Sequence, residues 1–139
     1  MLKRYLNTAI SILDELIDTT LQDIENIKEA KHSAVDESVR KKGVLVKNFE
    51  DTKRSLDKEL VNLSKTSENL QEALDDEVKA NLVLMREKLE ILHKVNKEYA
   101  RHVVLVKEFF DSLTKQMFNL DQNAYTQSVS QSNFYKAKV

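Results

Sequence analysis

Two Glu-x-x-His pairs, Glu29 with His32 and Glu90 with His93, are the nearest this 139-residue chain comes to a metal-binding pattern. Residues three apart share a helix face. On facing helices of a bundle, two such pairs joined by a glutamate from each of two further helices hold a carboxylate-bridged di-iron centre. The surrounding pattern argues against that use. Glu29 and His32 stand in a polar run at the end of an apolar stripe, and the seam around the second pair passes through Leu89 and Leu92 and not through Glu90 or His93. Three helices are expected, which leaves one carboxylate donor missing. With 23 acidic residues in the chain, pairs at this spacing arise by chance, and both read as surface residues. Glu98 and His102, four apart, read as an ordinary pair on one helix face.

No other constellation offers a site. The chain has no cysteine, which removes disulfides, thiol nucleophiles and thiolate metal ligands together. Gly43 is the only glycine, so there is no glycine-rich phosphate loop, and no serine or threonine has a base placed by a recognisable motif. No catalytic residue, metal ligand or cofactor is therefore assigned, and an enzyme is the least favoured class. Twenty-two basic residues against 23 acidic give a net charge of −1, which supplies no bulk field toward nucleic acid or anionic lipid. The basic cluster Arg40, Lys41, Lys42 is short and has no interleaved aromatics. No apolar run approaches the roughly 20 residues of a membrane span. Lys3 and Arg4 precede a moderately apolar stretch, Tyr5 to Leu13, but Asn7 interrupts it and Asp14 and Glu15 follow, so this start reads as helix and not as a signal peptide. These features fit a cytoplasmic protein.

The elements are helices throughout, since proline is absent and turn-forming glycine is nearly so. Leu2, Leu6, Ala9, Leu13, Leu16, Thr20, Ile24 and Ile27 form the first stripe, widened by Ile10, Ile17 and Leu21 into the broad face of a bundle helix. Cations at Lys28, Lys31 and His32 suit its C-terminus, and Ser33 with Asp36 resembles the start of the next helix, which puts the first turn within 31–37. Val39, Val46, Phe49, Leu56, Leu60, Leu63, Leu70 and Leu74 share a second heptad frame, whose other positions are Lys42, Lys53 and Ser67. Gly43 lies inside that helix and is expected to loosen its first turns. The four-four step Leu74, Val78, Leu82 breaks the frame and predicts a second turn within 64–75, with Asp75, Asp76 and Glu77 favouring a new helix N-terminus.

The third stripe is the most regular. Leu82, Met85, Leu89, Leu92, Asn96, Tyr99, Val103, Val106, Phe110, Leu113, Met117 and Leu120 alternate steps of three and four with Asn96 as the one polar member. The expected fold is all-α, an antiparallel three-helix coiled-coil-like bundle with a long third helix over 1–120. A flexible polar C-terminal tail over 121–139 follows from its Gln, Asn and Ser content. A single polar residue in an apolar seam sets register at some cost in stability, which is the role expected of Asn96. From Val103 onward the apolar residues exceed the seam. Val104, Leu105, Phe109 and Phe118 join Val103, Phe110, Leu113 and Met117, and a helix apolar on so many sides must be covered by something.

Four pieces of the chain carry a resemblance: a first apolar helix; KGVLVKNFEDTKRSLDKEL from Lys42 to Leu60; ALDDEVKANLVLMREKLEILHKVNKEYARHV, with an acidic start and Asn96; and a polar tail with Tyr125. Together they resemble the FlgN family of flagellar export chaperones, although a second asparagine frequent in that family has no counterpart between Lys97 and Arg101. The resemblance implies a cytosolic chaperone that binds the C-terminal helical segments of hook-associated junction proteins and hands them unfolded to the membrane export gate. It further implies that the Val103–Phe118 surface takes the substrate, with Tyr125 a contact for the gate. A structural coiled coil that dimerises or tethers, without a secreted client, is the alternative reading of the same residues.

Overall fold

The chain's apolar stripes become four helices: α1 (Leu2–Lys28), α2 (His32–Thr66), α3 (Leu70–Ala73) and α4 (Asp76–Tyr125). They are seen in a computed structural model that describes the backbone of residues 1–125 and the side chains of residues 1–117. The fold is all-α, and no strand occurs among the described residues. Helix α4 passes the expected boundary at Leu120 by five residues; the rest of the expected tail lies outside the described residues. The chain divides into two compact units, Met1–Ala100 and Arg101–Val139.

The first turn is earlier and tighter than expected. Helix α1 ends at Lys28 and α2 begins at His32, so Ser33 lies in the first turn of α2 and not at its N-cap. Backbone chemistry makes the reversal: Ala30 adopts a left-handed φ of 60°, its N–H donates to Ile27 O at 3.1 Å, and the Lys31 N–H donates to Asn26 O at 2.7 Å. This pair of bonds is the Schellman closure, which satisfies orphan carbonyls within three residues and usually uses glycine at the left-handed position. Here alanine occupies it. The only glycine sits instead at Gly43 inside α2, which continues through it unbroken, and a Cβ built there meets nothing within 4 Å. Ala30→Gly and Gly43→Ala should therefore each stabilise the protein by about 1 kcal/mol, the first by relieving the left-handed Cβ clash and the second by removing glycine's chain entropy. The check is a higher urea midpoint at unchanged slope for both variants.

The second reversal lies inside the expected window but holds an extra helical turn. After Thr66 the chain extends through Ser67, and Asn69 caps α3 by accepting from the Gln71 N–H at 3.0 Å. Leu74 is extended and packs on the core beside Leu6, Leu56 and Val78, which anchors the linker. Asp75 then caps α4, its Oδ1 accepting from the Val78 N–H at 2.8 Å. Lys3 reaches both Asp75 (3.0 Å) and Glu77 (3.1 Å) from α1. The Val78 bond first, and Lys3 second, hold the Asp75 carboxyl below the usual carboxylate range, while bonds to Asp75 and Glu77 raise the Lys3 ammonium. A carboxyl depressed in the folded state stabilises above its unfolded pKa of about 3.9, and that contribution is lost as pH falls through the lower folded value. The stability gap between the native protein and Asp75→Asn should therefore close as pH is lowered from 6 to below about 4. A gap that stays constant in denaturation curves across that range would refute the assignment.

Within Met1–Ala100 the packing directions follow from named contacts. Helices α1 and α2 run antiparallel, since Leu6 meets Leu56, Glu15 pairs with Lys41, and Asp23 bonds Ser38. The first half of α4 runs in the direction of α1, since Lys3 pairs with Asp75 and Asp14 pairs with Lys88 at 2.7 Å. Seven of the ten buried apolar residues belong to α1, so α1 is the central helix of this unit, and α2 and α4 cover it. The longest and most regular stripe is thus not the most buried one.

Candidate interaction surface

In Met1–Ala100 the inward residues of α4 keep one column of the expected seam and exchange the other. Met85, Leu92 and Tyr99 are half-buried as expected, but their inward companions are Lys88 and Val95, while Leu89 and Asn96 are exposed. The two frames differ by one residue in the alternate column. Lys88 and Val95 turn inward because Lys88 Nζ bonds Asp14 Oδ1 of α1 and leaves 29% of its side chain exposed. Asn96 lines a shallow groove of about 340 Å³ with Leu16, Thr20, Lys42, Val46, Leu92 and Tyr99. Being exposed, it is not the buried polar residue of an apolar seam within this chain, and the register argument does not apply to it there.

A buried polar cluster holds this part of the molecule together. Asp23, 1% exposed, accepts from Ser38 Oγ at 2.8 Å and pairs with Lys42 Nζ at 2.6 Å. The same ammonium lies 4.1 Å from the centre of the Tyr99 ring, so Lys42 links all three long helices. Thr20, fully buried, donates to Leu16 O at 2.7 Å. Burial pushes the Tyr99 phenol up, with the Asp23 and Asp36 carboxylates adding to the effect. The sequence carried a signal for this cluster. Leu16, Thr20, Asp23 and Ile27 step by four, three and four along α1, and Lys42 occupies a frame position of α2. A cation and an anion on facing apolar stripes are the sign of an internal pair.

The residues singled out for a partner belong to Arg101–Val139, on α4. Val103 (40% exposed), Val104 (51%), Leu105 (52%), Phe109 (62%), Phe110 (44%), Leu113 (41%) and Met117 (60%) are all open in the chain. Val103, Val106, Phe110, Leu113 and Met117 step by three and four and so share one stripe. Phe109 borders it, with Leu105 four residues earlier, and Val104 lies on the opposite side. The rings of Phe109 and Phe110 stand edge to face, 5.6 Å apart at 72°. The described part of this surface is made of exposed apolar side chains. The side chains of Phe118 and of Tyr125, the last residue of α4, lie outside the described residues.

The Glu-x-x-His residues are not assembled. Glu29 Oε2 is bonded to Lys31 at 2.8 Å and Glu90 Oε1 to Arg86 at 3.4 Å. Among the described residues no group of three or more His, Asp or Glu side chains comes together to hold a metal ion. Among them, too, no helix is long and apolar enough to cross a membrane. Comparison with protein families, with characterised proteins and with solved structures found no match to this chain.

Proposed function

We propose that this chain is a cytoplasmic export chaperone of the FlgN type. In this reading an antiparallel, coiled-coil-like arrangement of α1, α2 and α4 presents an apolar surface to the C-terminal helical segments of hook-associated flagellar proteins, for delivery to the flagellar export gate. The observation that carries the proposal is the row of seven open apolar side chains from Val103 to Met117, which α4 displays with two adjacent phenylalanines among them. An amphipathic helix reads such a surface through anchors at three-four spacing. The resemblance of the sequence pieces supplies the identity of the client, and Tyr125 is the candidate contact with the gate. The same three-four stripe also suits a coiled-coil tether without a client, which is the second reading.

Phe109 decides between them. It is the most exposed of the seven, so truncating it should leave helicity and melting unchanged. Aromatic anchors carry losses of about 2 kcal/mol, roughly 30-fold in affinity. Phe109→Ala should therefore weaken capture of a synthetic C-terminal helical peptide of a hook-associated protein by about that factor, read by fluorescence anisotropy. Undetectable capture by the native chain, or capture unchanged by the substitution, would count against the chaperone and for the tether.

A further inference from the structure

We infer that, when no other partner is bound, the stripe Val103, Val106, Phe110, Leu113, Met117 is covered by the same stripe of a second copy of this chain. The inference concerns the surface used in the proposed function, and it names what covers that surface in its absence.

Three observations favour a second copy. The stripe follows an unbroken three-four-three-four alternation, the repeat by which like helices interlock knobs into holes. Setting Val103, Phe110 and Met117 as one core column and Val106 and Leu113 as the other, the flanking positions are His102, Lys107, Phe109, Thr114 and Gln116. Lys107 alone among them carries a full charge, so a copy of this face meets itself without the rows of like charge by which coiled coils reject self-pairing. The third observation is size. The stripe and its border residue Phe109 are 40 to 62% exposed at Val103, Phe109, Phe110, Leu113 and Met117. At roughly 150 to 250 Å² for an aromatic side chain, and somewhat less for the others, that is on the order of 500 Å² of apolar surface. One copy leaves that area near the upper limit of what a monomer displays, about 300 to 600 Å². Two copies together bury about 1,000 Å² of it, which reaches the area a specific interface requires before the polar flanks are added.

Sedimentation equilibrium of the full chain tests this directly. The native protein should pass from monomer to dimer mass as its concentration rises to about 100 µM, two decades above a micromolar Kd. Met117→Glu, at an exposed stripe position, and Phe110→Glu should each raise the dimer Kd by more than about tenfold, with the far-ultraviolet circular dichroism of the native chain retained. A native chain that keeps monomer mass at the highest concentration overturns the inference, and so does a dimer that both glutamate variants leave intact. Failure here is separate from failure of the chaperone reading: a monomer that still captures the client peptide removes only the second copy, and a stripe-dependent dimer that captures no peptide removes only the client.

Discussion

Lys42→Met is expected to destabilise the protein by about 3 to 5 kcal/mol, although it replaces one surface-adjacent charge by a side chain of similar length. The reason is what the ammonium leaves behind. Asp23 is 1% exposed, pairs with Lys42 Nζ at 2.6 Å and otherwise accepts from the Ser38 hydroxyl at 2.8 Å. Without the cation its carboxylate is left out of water with one hydrogen bond and no opposite charge. The Tyr99 ring loses its cation as well, which forms part of that loss. A further result should follow. The double variant Asp23→Leu with Lys42→Met should recover most of the loss, since replacing both members of a buried pair by apolar groups is often neutral or stabilising. Urea denaturation of the two variants beside the native protein decides the matter. A single variant within about 1 kcal/mol of the native protein would mean that Asp23 finds water or another partner, and that the pair does not hold the helices.

The second large effect is expected at Leu56. It is 1% exposed and sits with Leu6 of α1 and Val78 of α4 in the cluster where the three long helices meet. Leu56→Ala should cost about 2 to 5 kcal/mol, the transfer of the lost atoms plus the cavity they leave. Leu89→Ala is the contrast. Its leucine belongs to the most regular apolar stripe in the sequence, yet it is 37% exposed in the structure, and its truncation should cost well under the Leu56 value. Equal losses at the two positions would show that Leu89 is covered in solution, by a partner or by a second copy.

That contrast also marks how far the sequence could be read. The class of the fold, the three long helices, the window of the second reversal and the surplus of apolar residues from Val103 to Met117 all follow from period and composition, because a helix has one repeat and proline and glycine are almost absent. The first reversal lies earlier than Ser33 and Asp36 predict, because its bonds are made by backbone groups. Ala30 takes a left-handed φ that alanine does not announce, and the Ser33 signal that pointed further along was only a serine in the first turn of α2.

Which residues can lie along one helix face was legible in the sequence alone, because heptad columns and apolar excess are properties of spacing and type. Only the tertiary structure decided which of those columns is inside. Met85, Leu92 and Tyr99 could pair with either neighbouring column, since the two lie on opposite flanks of them at nearly equal angles. The ion pair of Lys88 with Asp14 and the stacking of Lys42 on Tyr99 chose one flank, and Leu89 and Asn96 were left on the other. Spacing within one helix cannot say which flank a second helix approaches, because that depends on residues far away in the chain, here Asp14, Asp23 and Lys42, whose charges pair where the helices meet.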